Sequence, residues 1–187
     1  RARRYSRILN QVIETAYDVV VAGYGPVGET CANLLGHYGI KALILDKEKN
    51  AYPLPRAITW DAECQRAMSH CEFLSEVKTR KIRGVDNKDA NKKSIMKITT
   101  EGFDTYNYQH RILFIHQPQF DEAHRENAEK YSTNTIKTGS ELLAVDEING
   151  VVNCTYKNIE TNEQFKVTSK YLLACDGANS TVRKLNN

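Results

Sequence analysis

The chain has 187 residues, 41% of them hydrophobic and 26% charged, with a formal net charge of +3. That composition excludes collagen, disorder and coiled coil, and a chain of this size buries about 70% of its unfolded surface without staples. Five cysteines (Cys31, Cys64, Cys71, Cys154, Cys175) with no C-x-x-C pair exclude a disulfide framework and a zinc knuckle, and no apolar run approaches the ~18 residues of a membrane span.

The sequence opens on Arg1 rather than methionine and so reads as part of a longer chain; its thiols fit a reduced, cytoplasmic setting. Residues 1–16 read as a lead-in whose arginines form a solvated arm, not a nucleic-acid or membrane patch. Tyr17–Ala22 is a continuous β-branched run, the pattern of a buried parallel strand. Residues 23–28 form a glycine-rich turn, 29–38 carry helical spacing with Ala32, Leu35 and Tyr38 on one face, and Gly39 stops the helix. A second strand covers 42–45 and ends at Asp46. Strand, glycine turn, helix and strand make a βαβ unit.

Prolines at 53 and 55 follow, then an expected helix over 62–75. The polar stretch 78–108 reads as edge strands and a surface excursion. A strand over 112–115 leads through His116-Gln117-Pro118 to a helix over 119–131. Residues 141–148, 151–156 and 164–168 alternate as antiparallel strands, with Asn149-Gly150 as a hairpin turn. A strand over 171–174 and a short helix from Asn179 close the chain. The five histidines show no metal spacing, and no catalytic or metal-binding residue is assigned.

Gly23-Tyr24-Gly25-Pro26-Val27-Gly28 is a G-x-G-x-x-G placed directly after a strand and opening a helix. The first glycine makes the turn, the second admits a pyrophosphate to the backbone, and the third lets helix pack on strand. Asp46 lies about twenty residues on, where an acid binds a ribose hydroxyl, with Lys47 beside it. An acid at that position suits FAD or NAD rather than NADP.

With Cys175-Asp176-Gly177-Ala178-Asn179-Ser180-Thr181-Val182-Arg183 at the end of the last strand, the sequence resembles the class A flavoprotein aromatic hydroxylases, in the branch of 3-(3-hydroxyphenyl)propionate and phenol hydroxylases. The resemblance runs from Tyr17 to about Asn187. It implies an α/β, Rossmann-like FAD-binding domain over 17–187, made of a βαβ ADP-binding unit plus a small antiparallel sheet and ending before the substrate domain. It places Asp176 and Gly177 near the pyrophosphate and ribityl chain and Leu142 beside the adenine. It also places Arg56, from Pro55-Arg56-Ala57, over the flavin and gives Gln117 a cofactor contact. The implied activity is NADH- or NADPH-dependent hydroxylation of a small aromatic, phenolic substrate. One departure stands out: the family's downstream Gly-Asp motif is missing from this sequence. A non-catalytic nucleotide-binding remnant gains weight from that absence; an NAD-dependent dehydrogenase is the remaining alternative, against which the hairpin over 141–168 and Asp176-Gly177 argue.

Overall fold

The computed structural model describes residues 12–13, 16–54, 57–71, 77–99 and 112–185. In chain order its elements are β1 (Val12–Ile13), β2 (Tyr17–Ala22), α1 (Pro26–His37), β3 (Ala42–Asp46), β4 (Ala57–Asp61), α2 (Ala62–Met68), β5 (Thr79–Lys81), β6 (Gly84–Lys88), β7 (Ser94–Thr99), β8 (Ile112–His116), α3 (Gln117–Glu129), β9 (Asn134–Thr138), β10 (Ser140–Ile148), β11 (Val151–Asn158), β12 (Gln164–Ala174) and α4 (Thr181–Leu185). They group into two compact units, one made of the chain up to Tyr52 and from His124 onward, the other of Pro53–Ala123. Arg56, most of the expected lead-in and the final turn of the helix expected over 62–75 lie outside the described residues.

In the first unit, parallel strands run in the order β9-β3-β2-β12, and β11 and β10 continue the sheet as an antiparallel meander. Taken by sequence, the parallel part is 3-2-1-4, the opening order of a doubly wound dinucleotide fold. β2 is apolar along nearly its whole length because both its faces are covered. Val20 and Ala22 enter a layer with Leu43, Leu45, Leu142 and Val182, while Val19 and Val21 enter the opposite layer with Ile44, Ala32 of α1 and Ala128 of α3. Each aliphatic side chain buried there contributes about 1.5–3 kcal/mol.

Local chemistry fixes the ends of α1. Proline at its first position has no N–H to lose, so the helix begins at Pro26, three residues earlier than its apolar spacing indicates. At the other end Ile40 N–H bonds the Leu35 carbonyl, Gly39 N–H bonds that of Gly36, and Gly39 takes φ +69°, a Schellman cap. Tyr38, expected on the buried face, is 64% exposed.

Two further expectations are corrected in this unit. The strands expected over 164–168 and 171–174 are one strand, β12. Its first half pairs antiparallel with β11 and its second parallel with β2, and Ser169, where the apolar pattern breaks, is the residue that pairs with both neighbours. β9 was not expected at all. It carries a single aliphatic side chain, Ile136, and is held by Asn134, whose amide donates to the carbonyls of Ala32 and Ala128 at 3.0 and 2.9 Å.

The second unit contains the antiparallel sheet β4-β8-β5 and the hairpin β6-β7. β4 was not expected, since the prolines before it read as a break. Asp61 ends it and caps α2, accepting the Cys64 N–H at 2.8 Å. α2 is shorter than its periodicity indicates. The Ser69 N–H and hydroxyl both turn back onto the Arg66 carbonyl, and the helix stops there.

Candidate functional site

β2, β3 and β12 are neighbours that run the same way, and the turns leaving their carboxyl ends enclose a cleft of about 370 Å³. The strand order reverses between β2 and β12, and in open parallel sheets that reversal opens a crevice for ligands. Gly23, Gly25, Pro26 and Val27 form one wall. Asp46 at the end of β3 and Lys47 just beyond it, Leu142 of β10, and Asp176 and Gly177 beyond β12 supply the rest. Nine of the residues singled out from the sequence thus meet at one place. Gly28 packs behind the turn, and Gln117 belongs to the second unit, where it is buried and donates to Asp121 at 3.3 Å. Glu141, Cys175, Asn179 and Thr181 also line the cleft; they neighbour the residues singled out from the sequence but were not themselves assigned to the site.

The three glycines of the turn do different jobs. Gly23 has φ +101°, and a Cβ on it would lie 2.4 Å from the Cys175 carbonyl oxygen. A Cβ on Gly28 would lie 2.0 Å from the Gly23 oxygen. Both are required by the fold itself. Gly25 differs, since a Cβ there meets nothing within 4 Å and its backbone is extended, at φ −89°. No steric demand of the chain explains a glycine at this position, and the side it leaves bare borders the cleft.

Gly25 is also the cap of α1, with no side-chain hydrogen bond to the helix end. The first intrahelical bond runs from Glu29 N–H to the Gly25 carbonyl at 2.8 Å, so the N–H groups of Val27 and Gly28 have no partner within the helix. Bare N–H groups and about half a positive charge at the helix end favour an anion.

Two carboxylates border the cleft. Asp46 ties its walls together, accepting Tyr24 N–H at 2.6 Å through one oxygen and Glu48 N–H at 2.8 Å through the other. Asp176 accepts Thr181 N–H at 2.5 Å and Val182 N–H at 3.0 Å through Oδ2, which holds the start of α4. Its Oδ1 is buried and has no hydrogen-bond partner among the described residues. A ligand with an anionic centre and hydroxyls on either side satisfies this set of groups.

Burial works to raise the pKa of Asp176, but the Ser180 hydroxyl and the N–H groups of Val182 and Thr181 outweigh it and hold the carboxyl below the ordinary aspartate value. A depressed carboxyl stabilises the fold fully above its unfolded pKa of about 3.9, and the contribution fades as pH falls through the folded value. The Tm advantage of the wild-type chain over Asp176→Asn is therefore expected to be constant near neutrality and to shrink below about pH 4. Melting curves across that range measure it; an advantage that persists in strong acid contradicts the assignment.

Behind the turn, Arg125 of α3 donates from Nε to the fully buried Glu29 at 2.7 Å and also bonds the Tyr24 carbonyl. Its guanidinium lies 4.6 Å from the Tyr24 ring centroid. This buried brace holds the cleft wall from the rear, and its partners are 96 residues apart in sequence.

The family model described as FAD binding domain matches residues 16–186, nearly the whole described chain. The chain belongs to the FAD-binding domain family. Its cofactor is accordingly FAD, and an α/β, Rossmann-like fold is what the family and the strand order both give. The chain is similar to the 3-(3-hydroxy-phenyl)propionate/3-hydroxycinnamic acid hydroxylase of Comamonas testosteroni, at 29% identity over 95% of this chain and 30% of that protein. Among solved structures it resembles p-nitrophenol 4-monooxygenase from Pseudomonas putida DLL-E4, with a TM-score of 0.79 and 23% identity over 93% of this chain and 44% of that one. It also resembles the anhydrotetracycline hydroxylase of Streptomyces rimosus, with a TM-score of 0.72 and 26% identity over 91% and 34% of the two chains. The chain thus spans 30% to 32% of the length of the curated hydroxylases it matches.

Proposed function

We propose that this chain is the FAD-binding part of a cytoplasmic, NADH- or NADPH-dependent monooxygenase that hydroxylates a small aromatic, phenolic substrate. The observation that supports this most strongly is the switch-point cleft with its bare glycine cap, in a family member whose curated relatives are named hydroxylases. Residues 17–187 serve as the FAD-binding domain and 1–16 as its lead-in.

Within the cleft, the pyrophosphate lies against Gly23, Gly25, Pro26, Val27 and Gly28 at the α1 end. Asp46 takes the adenosine ribose hydroxyls with Lys47 beside it, and Leu142 flanks the adenine. Asp176 and Gly177 face the stretch between pyrophosphate and ribityl chain, where the unpartnered Oδ1 receives a hydroxyl. The family resemblance alone gives Arg56 a place over the flavin and Gln117 a contact with the cofactor. Bound FAD supplies the redox chemistry, taking a hydride from the nicotinamide and activating O₂; the chain's own residues bind and orient it. No helix among the described residues is long and apolar enough to cross a membrane, and the reading includes no nucleic-acid partner.

Titrating the purified chain with FAD, and separately with NAD, tests the proposal through the flavin absorbance bands and intrinsic fluorescence. FAD is expected to bind and NAD to bind far more weakly. The reverse order overturns the hydroxylase reading in favour of a dehydrogenase. Asp46→Asn sharpens the test, because it removes the charge but keeps an acceptor for the Tyr24 N–H. Losing a charge-assisted bond to the ribose lowers FAD affinity by about ten-fold or more, whereas the amide nitrogen that replaces the oxygen facing the exposed Glu48 N–H costs only about 1 kcal/mol of stability.

A further inference from the structure

Cys31 of α1 and Cys175, the residue that follows β12, are 144 positions apart in sequence, yet their sulfurs lie 3.9 Å from each other. Both are partly exposed and pack against the same apolar layer of the sheet. We propose that they form a redox-active dithiol which hydrogen peroxide closes to a disulfide, and that closure weakens FAD binding in the cleft alongside. Nothing in the binding of FAD or in the hydroxylase reading requires this pair.

The sulfurs need to approach by about 2 Å to reach the ~2.05 Å of a disulfide. The other cysteines have no such partner: Cys64 is exposed in the second unit, Cys71 is buried there, and Cys154 is buried in the opposite layer of the first. Their environments also differ. The hydrogen bond with Cys175 lowers the Cys31 thiol to about 7, whereas burial raises Cys64, Cys71 and Cys154, the last to about 11. Only the thiolate is a competent nucleophile.

The chemistry balances with the peroxide as sole oxidant. The Cys31 thiolate attacks one peroxide oxygen, the O–O bond breaks, and the departing hydroxide takes a proton to leave as water. Cys175, giving up its proton, then attacks the sulfur of the resulting sulfenic acid. The S–S bond forms, the S–O bond breaks, and a second water leaves. Two thiols lose two electrons, and one hydrogen peroxide becomes two waters.

Closure is felt in the cleft because Cys175 is built into its wall. Its N–H donates to the Ala22 carbonyl at 2.7 Å, its own carbonyl crowds Gly23, and Asp176 follows directly. Drawing its sulfur toward α1 displaces the backbone that positions the glycine turn and Asp176. FAD affinity is expected to fall by about ten-fold on oxidation and to recover with dithiothreitol.

The test treats the full chain with hydrogen peroxide, alkylates it under denaturing, non-reducing conditions, and maps the digest by mass spectrometry. The expected product joins the Cys31 peptide to the Cys175 peptide and leaves Cys64, Cys71 and Cys154 alkylated. In Cys31→Ser, or Cys31→Ala if the serine variant fails to fold, no linked peptide forms and peroxide leaves FAD affinity unchanged. Finding Cys31 and Cys175 both alkylated, Cys31 as sulfinic acid, or Cys31 linked to another cysteine overturns the dithiol. A Cys31–Cys175 link with unaltered FAD affinity overturns its coupling to the cleft. The map reads the thiols whether or not the chain takes up FAD, so failure of the hydroxylase proposal is separately visible.

Discussion

Replacing Gly25 by aspartate is expected to leave the fold as stable as before, or slightly more so, while reducing FAD affinity by about a thousand-fold or more. The two effects have opposite signs for one physical reason. Gly25 caps α1 in the extended conformation that suits any L-residue, its Cβ direction is open, and the helix end has no side-chain cap. Aspartate is among the best cap residues, better than glycine by a few tenths of a kcal/mol, and its carboxylate satisfies the same N–H groups. Those are the groups a pyrophosphate needs, and the new charge repels it. Gly28→Ala is the control with the reverse outcome. Its Cβ would lie 2.0 Å from the Gly23 oxygen, which the turn cannot relieve without coming apart. A loss of more than about 3 kcal/mol is expected there, a large fraction of a domain's stability. Urea melts and FAD titrations of both variants decide the matter. A Gly25→Asp chain that binds FAD as the wild type does would remove the pyrophosphate from this turn.

The contrast between these glycines also shows how far the sequence could be read. The segment from Tyr17 to Asp46 is legible because its logic is local: a doubly buried strand has no alternation, a proline opens the helix, and a glycine closes it. The motif spacing then locates the cleft, since residues at the carboxyl ends of adjacent parallel strands must meet. Elements held by distant partners were not legible. β9 offers only Ile136 to an apolar pattern, because its place beside β3 is secured by Asn134 bonding to α1 and α3. β12 reads as two strands because it changes partner at Ser169. Glu29 looks like an ordinary acid in the first turns of a helix, and nothing nearby says that it is buried or that Arg125 reaches it. The proximity of Cys31 to Cys175 is invisible for the same reason, as it exists only once α1 is laid against the sheet.

The buried brace gives the second large effect. Arg125→Met is expected to destabilise the chain by about 3–5 kcal/mol, because it leaves the Glu29 carboxylate buried without its cation. Glu29→Leu alone should cost less: Arg125 is 15% exposed and can turn its charge toward water, whereas Glu29 has no such route. Combining the two removes both charges and leaves mainly the Tyr24 carbonyl to find another donor. The double variant is therefore expected to be more stable than Arg125→Met by about 2 kcal/mol, a coupling within the range seen for residues in contact. His124, whose Nδ1 lies 4.0 Å from the second Glu29 oxygen, stays in place in all three chains. The cycle distinguishes lost charge compensation from lost packing: simple additivity of the single penalties would mean that Arg125 acts through its stacking on Tyr24 and not through Glu29. In either case FAD affinity follows the turn: loosening Tyr24 loosens the N–H groups on both sides of Gly25, so Arg125→Met weakens binding although its side chain touches Tyr24 and Glu29 behind the turn.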